Sequence, residues 1–154
     1  MEIDKAISES QMQTVLEQYK LYVGTAEAVS QRRQTANSFF ITLNAAILSI
    51  LGFVQKQFEL GLSAITVLSA SGIIVSLLWY YLICSYRDLN TAKFKVIHNL
   101  EQQLPVQPFD EEWIELKDSS SAKRYLPFTA LERLVPTLFL FLHIALIIAI
   151  ASGQ

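Results

Sequence analysis

The sequence predicts an all-α membrane protein in which three transmembrane helices carry long cytoplasmic helical extensions and associate as a homo-oligomer. Three observations predict it. Of 154 residues, 52% are hydrophobic and only 17% are charged, an excess and a deficit relative to the roughly 25% charge of soluble domains. The apolar residues are gathered into three long runs instead of short periodic stretches. Lys and Arg divide eleven to one across those runs. A net charge of −2 offers no basic surface for nucleic acid, and the single cysteine, Cys84, has no partner for an internal disulfide.

The N-terminal segment, residues 1–35, is polar, so no cleavable signal peptide is expected in it. Met12, Val15, Tyr19, Tyr22, Ala26 and Val29 recur at spacings of three and four, which describes one face of an amphipathic helix or a coiled-coil seam. No proline lies between Met1 and Val54, so this helix is expected to run into the first span, with Gly24 as its weak point.

The first run, residues 36–54, holds no charged residue over 19 positions, enough at about 1.5 Å per residue to approach the roughly 30 Å hydrocarbon core. A polar patch, 55–59, turns the chain into the second run, 60–86, so these spans are antiparallel neighbours. The segment 87–133 is the helical extension and loop. Tyr86, Phe94, Ile97, Leu100 and Leu104 keep helical spacing until Pro105 stops it. After a turn at Pro105, Pro108 and Phe109, Asp110 to Leu116 reads as a short helix anchored by Trp113, and Lys117 to Lys123 as an exposed serine loop. The third run, 134–151, is interrupted by His143, with Pro136 placed in its first turn, and 152–154 form an external tail.

Lys5, Lys20, Arg32, Arg33, Arg87, Lys93, Lys95, Lys117, Lys123, Arg124 and Arg133 fall on one side and Lys56 on the other. The N-terminus and the 87–133 segment are therefore expected in the cytoplasm, and the C-terminus outside. Trp79, Tyr80 and Tyr81, just before Arg87, suit an interfacial belt on the cytoplasmic side.

These residues also carry a resemblance. The stretch SQRRQTANSFFITLN from Ser30 to Asn44 resembles the first-span signature of the RipA family of octameric membrane proteins. The likeness continues in YKLYV from Tyr19, in the stretch from Trp79 to Pro105, in PFDEEW ending at Trp113, and in YLPFTALERLVP from Tyr125 to Pro136. It covers nearly the whole chain. What it implies is a small bacterial inner-membrane protein that assembles as an octamer, in a family linked to intracellular growth of a pathogen. No reaction or transported substrate comes with it. A more distant similarity is to small membrane effector domains of bacterial conflict systems, proposed to form pores.

Several residues are candidates for function. Asn37 and Asn44 lie seven apart on one face of the first span, beside a seam of Ser38, Thr42, Ala45, Ser49 and Gly52. Helix packing with amides bonded across helices is the favoured reading, and a polar lining of a water-filled path with Asn37, Thr42, Asn44 and Ser49 is the other. Ser69, Gly72 and Ser76 make a similar small face on the second span. Arg32 and Arg33 either anchor the span end in anionic headgroups or pair with Asp88 or Glu132. His143 is an ionisable group inside a span, hence a candidate pH-sensitive residue, although a hydrogen-bonded structural histidine is the commoner outcome. His98 reads as a surface or packed histidine. Asp110, Glu111 and Glu112 lack the neighbouring His or Cys pattern of a metal centre, and the chain has no phosphate loop, zinc-protease motif or nucleophile elbow. No catalytic residue, metal or cofactor is expected.

The function these features suggest is an octameric ring acting as a pore or as an organiser of the membrane. The alternative is a membrane-anchored signalling or adaptor subunit working through its cytoplasmic helices, linked to stress or host adaptation. The expected partners are the lipid bilayer, other copies of the chain and an unidentified cytoplasmic protein, with no nucleic acid.

Overall fold

The computed structural model describes residues 2–58, 62–118 and 128–152. The expected turn at 55–59 and the serine loop fall partly outside these residues. Among them all regular structure is helical: α1 (Glu2–Phe58), α2 (Leu62–Glu101), α3 (Pro108–Asp118) and α4 (Phe128–Ala151). Helices α1, α2 and α4 are each long and apolar enough to cross a membrane. At 57 residues α1 is about 85 Å long, far more than the roughly 30 Å a crossing needs. It runs through Gly24 without a break. A Cβ there would meet nothing within 4 Å, so the glycine answers no steric demand.

The chain divides into two compact units, one of residues 1–31 and 86–126, the other of 32–85 and 127–154. In the first, the start of α1, the end of α2 and α3 pack together. The apolar face of α1 is exposed at Met12 and buried at Ala26 and Val29, and Ile97 of α2 has no exposed surface. Lys93 Nζ donates to Thr25 Oγ1 at 3.0 Å and lies 5.8 Å from the centre of the Tyr22 ring. Helix α2 ends at Glu101, four residues before Pro105. Its last turn tightens there, with Gln103 N–H bonded to the Leu100 carbonyl and Leu104 N–H to that of Glu101. Pro108 is the first residue of α3, where its missing N–H costs nothing, and Gln107 accepts the first intrahelical bond from Glu111 at 3.0 Å. The expected anchor, Trp113, is 49% exposed. Phe109 takes that role, its ring 5.6 Å from Phe94 and 6.3 Å from Tyr19.

The second unit differs from a soluble bundle in its surface. Asn44, Ser69, Ser76 and His143 are buried together with Leu51, Ile65, Trp79 and Ile83, while Phe39, Phe53, Val67, Leu78, Phe141 and Ile148 are exposed. Large apolar side chains facing outward with polar ones drawn inward is an arrangement that suits a hydrocarbon solvent. Trp79 packs inside this unit. It is 1% exposed, stacked on Phe40 at 5.9 Å and tilted against Phe139 at 6.2 Å. Tyr81, by contrast, is exposed.

Pro136 departs from the expected first-turn position. Helix α4 already starts at Phe128, so the proline lies in its interior and frees the Glu132 carbonyl from its usual i→i+4 bond. The next residue, Thr137, donates its hydroxyl to the Arg133 carbonyl at 2.8 Å. Neighbouring helices commonly tolerate such interruptions in a membrane bundle.

Gly72 fixes the contact between α2 and α4. A Cβ at this position would run into the His143 ring, so the imidazole occupies the space a larger side chain would fill. Gly72→Ala is therefore expected to destabilise by about 1–3 kcal/mol through overpacking. Thermal unfolding in mild detergent measures it, and adding His143→Ala should restore most of the loss; an unaltered melting temperature in the single variant would contradict the packing.

Candidate functional site

The polar groups of the second unit form a ladder along one face of α2. Ser69, Gly72, Ser76 and Trp79 follow each other at spacings of three and four, so they project to the same side. Gly72, Ser76 and Trp79 each meet a group from another helix. Ser76 Oγ donates to Asn44 Oδ1 at 3.0 Å, and Asn44 Nδ2 donates to the Phe40 carbonyl of its own helix at 3.0 Å. Two turns nearer the start of α1, Asn37 Oδ1 accepts from Trp79 Nε1 at 2.8 Å while Asn37 Nδ2 donates to Glu132 Oε1 at 2.8 Å. Glu132 also faces Arg33, whose Nε lies 3.5 Å from the same oxygen.

The ladder thus grades from neutral amides and hydroxyls to an ion pair. Arg33 and Glu132 side chains are 18% and 9% exposed, so both charges are largely withdrawn from solvent. A withdrawn charge pair holds only when hydrogen bonds complete it, and the Asn37 amide supplies one. The pairing partner of Arg33 is thus Glu132; Asp88 is exposed on α2 within the other unit, and Arg32 is exposed.

Asn37 and Asn44 are thereby committed to contacts between helices of one chain. Thr42 and Ser49 are exposed on α1, their hydroxyls bonded to the Ser38 and Ala45 carbonyls at 2.9 and 2.7 Å. Such back-bonding lets a hydroxyl face lipid or another helix without an unmet donor. His143 is fully buried, and among the described residues neither ring nitrogen has a hydrogen-bond partner, nor does Ser69 Oγ.

The family model described as the octameric membrane protein family matches residues 16–152. The chain belongs to that family. No curated protein and no solved structure matches it. The octameric membrane protein family match includes residues of both units.

That first unit has its own polar centre at Glu101, which is 1% exposed. Its Oε1 accepts from Tyr19 Oη at 3.0 Å and from the Phe109 N–H at 2.9 Å. The second bond caps α3, since the Phe109 N–H belongs to the first turn and has no acceptor within its helix; a carboxylate there also meets the positive end of the helix dipole. His98 Nδ1 lies 3.6 Å from Glu101 Oε2 and 4.0 Å from Asp110 Oδ1. Among the described residues no group of three or more His, Cys, Asp or Glu is placed to hold a metal ion.

Sequence reasoning missed Trp79 and Glu101. Trp79 had a signal, since it continues the small face of Ser69, Gly72 and Ser76 by three residues. Glu101 had none, because its partners lie 82 residues before it and eight after it, across a turn whose path the sequence does not state.

Two measurements follow from these geometries. Asn37→Leu strands the Trp79 N–H and a Glu132 oxygen together and is expected to destabilise by about 1–3 kcal/mol, more than Asn44→Leu, which strands a single hydroxyl. Thermal denaturation of both variants in one detergent ranks them, and equal losses would contradict the account.

The second concerns Tyr19, which precedes the charge-free run that starts at Ala36. Burial, then the hydrogen bond to Glu101 and the charge of that carboxylate, push its hydroxyl up to about 12. The unfolded chain releases this proton first, near the ordinary value of about 10, so the interaction stabilises fully below about pH 10 and is lost as pH climbs towards 12. Stability should fall across that window, and the Tyr19→Phe variant should show a shallower fall.

Proposed function

We propose that the chain is a RipA-like multi-pass protein of the bacterial inner membrane that assembles as a homo-octameric ring and acts as a pore or as an organiser of the bilayer. The N-terminus and the 87–133 segment face the cytoplasm, and the C-terminus faces out. The observation that carries this reading is the surface of the second unit. Asn37, Asn44, Ser76 and Trp79 are bonded within one protomer, while large apolar and small side chains are left to face lipid and other copies. In such a surroundings small residues permit close helix approach. Ser38, Thr42, Ala45, Ser49 and Gly52 are all exposed on α1, spaced four and three apart, which suits a helix of a neighbouring copy.

If the ring encloses an opening, Asn37 and Asn44 do not line it, because their amides are already bonded within the protomer. Thr42 and Ser49 are the polar side chains left for that role. The protein carries no constellation of nucleophile, base or metal ligands in its sequence, and we assign it no catalytic activity.

A second reading, an adaptor subunit, draws on the first unit. There Val106, Trp113 and Ile114 stand exposed around α3 beside the acidic Glu111, Glu112 and Glu115. The mass of the purified complex in nanodiscs, paired with conductance in planar bilayers, separates these readings. Eight copies with conductance that Thr42→Leu or Ser49→Leu alters supports a pore, and eight copies without conductance supports an organiser. A monomer would sink both. Deleting residues 1–28 should abolish an adaptor role while leaving span-formed conductance at least partly intact.

A further inference from the structure

The ionisable cluster at the end of α2 has a property that membrane assembly does not use. Glu101 Oε1 is fully engaged by Tyr19 and by the Phe109 N–H, but among the described residues Oε2 accepts no hydrogen bond. Two carboxylates therefore face one imidazole. His98 Nδ1 is 3.6 Å from Glu101 Oε2, on its own helix, and 4.0 Å from Asp110 Oδ1, on α3. Both separations exceed hydrogen-bond length by several tenths of an ångström. We propose that His98 is the pin of a pH-sensitive latch, in which the protonated imidazole bridges Glu101 and Asp110 and holds α3 against the end of α2.

The chemistry follows from what each helix presents. From α1 comes the Tyr19 hydroxyl, which stays neutral throughout the range in which imidazole titrates. From α2 comes Glu101, and from α3 comes Asp110. A neutral ring carries a hydrogen on only one nitrogen and no charge. Gaining a proton secures an N–H at Nδ1 and places a full positive charge between two negative ones, which draws both contacts into charge-assisted range. His98 and Asp110 side chains are 34% and 52% exposed, so the proton exchanges with solvent freely. Closing the latch needs no rearrangement of the core. The Glu101 bond to the Phe109 N–H already fixes the start of α3, and the added pair tightens its first turn.

Histidine is the side chain type whose charge ordinarily changes between pH 5 and 8. The latch is therefore tighter on the acid side. Hydrogen exchange of the α3 amides, measured on the full chain in lipid bilayers and corrected for the intrinsic effect of pH, reads it directly. Protection is expected to be about two- to fivefold greater near pH 5.5 than near pH 7.5, the size of a partly exposed ion pair. His98→Gln should erase the difference, and His98→Lys, charged at both pH values, should keep α3 protected at both. Equal protection at the two pH values in the unaltered protein overturns the proposal. So does a difference that survives His98→Gln.

Discussion

The side-chain amide of Asn37 touches all three helices of the second unit, and the rest of that unit depends on it. It sits on α1, accepts from Trp79 of α2 and donates to Glu132 of α4. A membrane interior gives apolar side chains no reason to prefer each other over lipid, so helices there are held by close packing and by polar bonds between them. Asn37 supplies such bonds in two directions at once. Through Glu132 it also sustains the Arg33 pair, which would otherwise be two poorly solvated charges. Trp79, held by the same amide, is the surface on which Phe40 and Phe139 pack.

Glu101 has the corresponding place in the first unit. That unit lies almost wholly outside the three charge-free runs, and its apolar face of Ala26, Val29 and Ile97 is buried. The buried carboxylate is the polar exception, joining α1 through Tyr19 and α3 through the Phe109 amide. Each unit is thus organised around a buried polar group that bonds to neighbouring helices.

Much of the fold was legible in the sequence. The three apolar runs, the unbroken passage of α1 into the first of them and the arrest of α2 just ahead of Pro105 all follow from residue type and spacing. Placing Asn37 and Asn44 on one face needed only the helical repeat. The bonding partners were less accessible. Trp79 reads as an interfacial aromatic beside Tyr80 and Tyr81, but the sequence does not say that the helix, turning each by about 100°, buries Trp79 alone of the three. Phe109 rather than Trp113 anchors α3 because the turn after Glu101 sets which face of that short helix is covered, and turn geometry depends on contacts made far along the chain. Pro136 was misplaced for a simpler reason. Hydropathy marks where an apolar run begins, whereas a helix begins where its backbone bonds begin, and in α4 these differ by six residues.

The fit of His143 against Gly72 acts as a ruler. A large ring seated where only a hydrogen is tolerated allows α2 and α4 one axial alignment, because a shift of one turn would set the imidazole against Ser69 or Ser76. A bundle keyed in this way cannot follow a thicker or thinner bilayer by sliding one helix along another. It must tilt as a body or make the surrounding lipid stretch or thin to match it. The glycine therefore sets the axial register of α2 against α4.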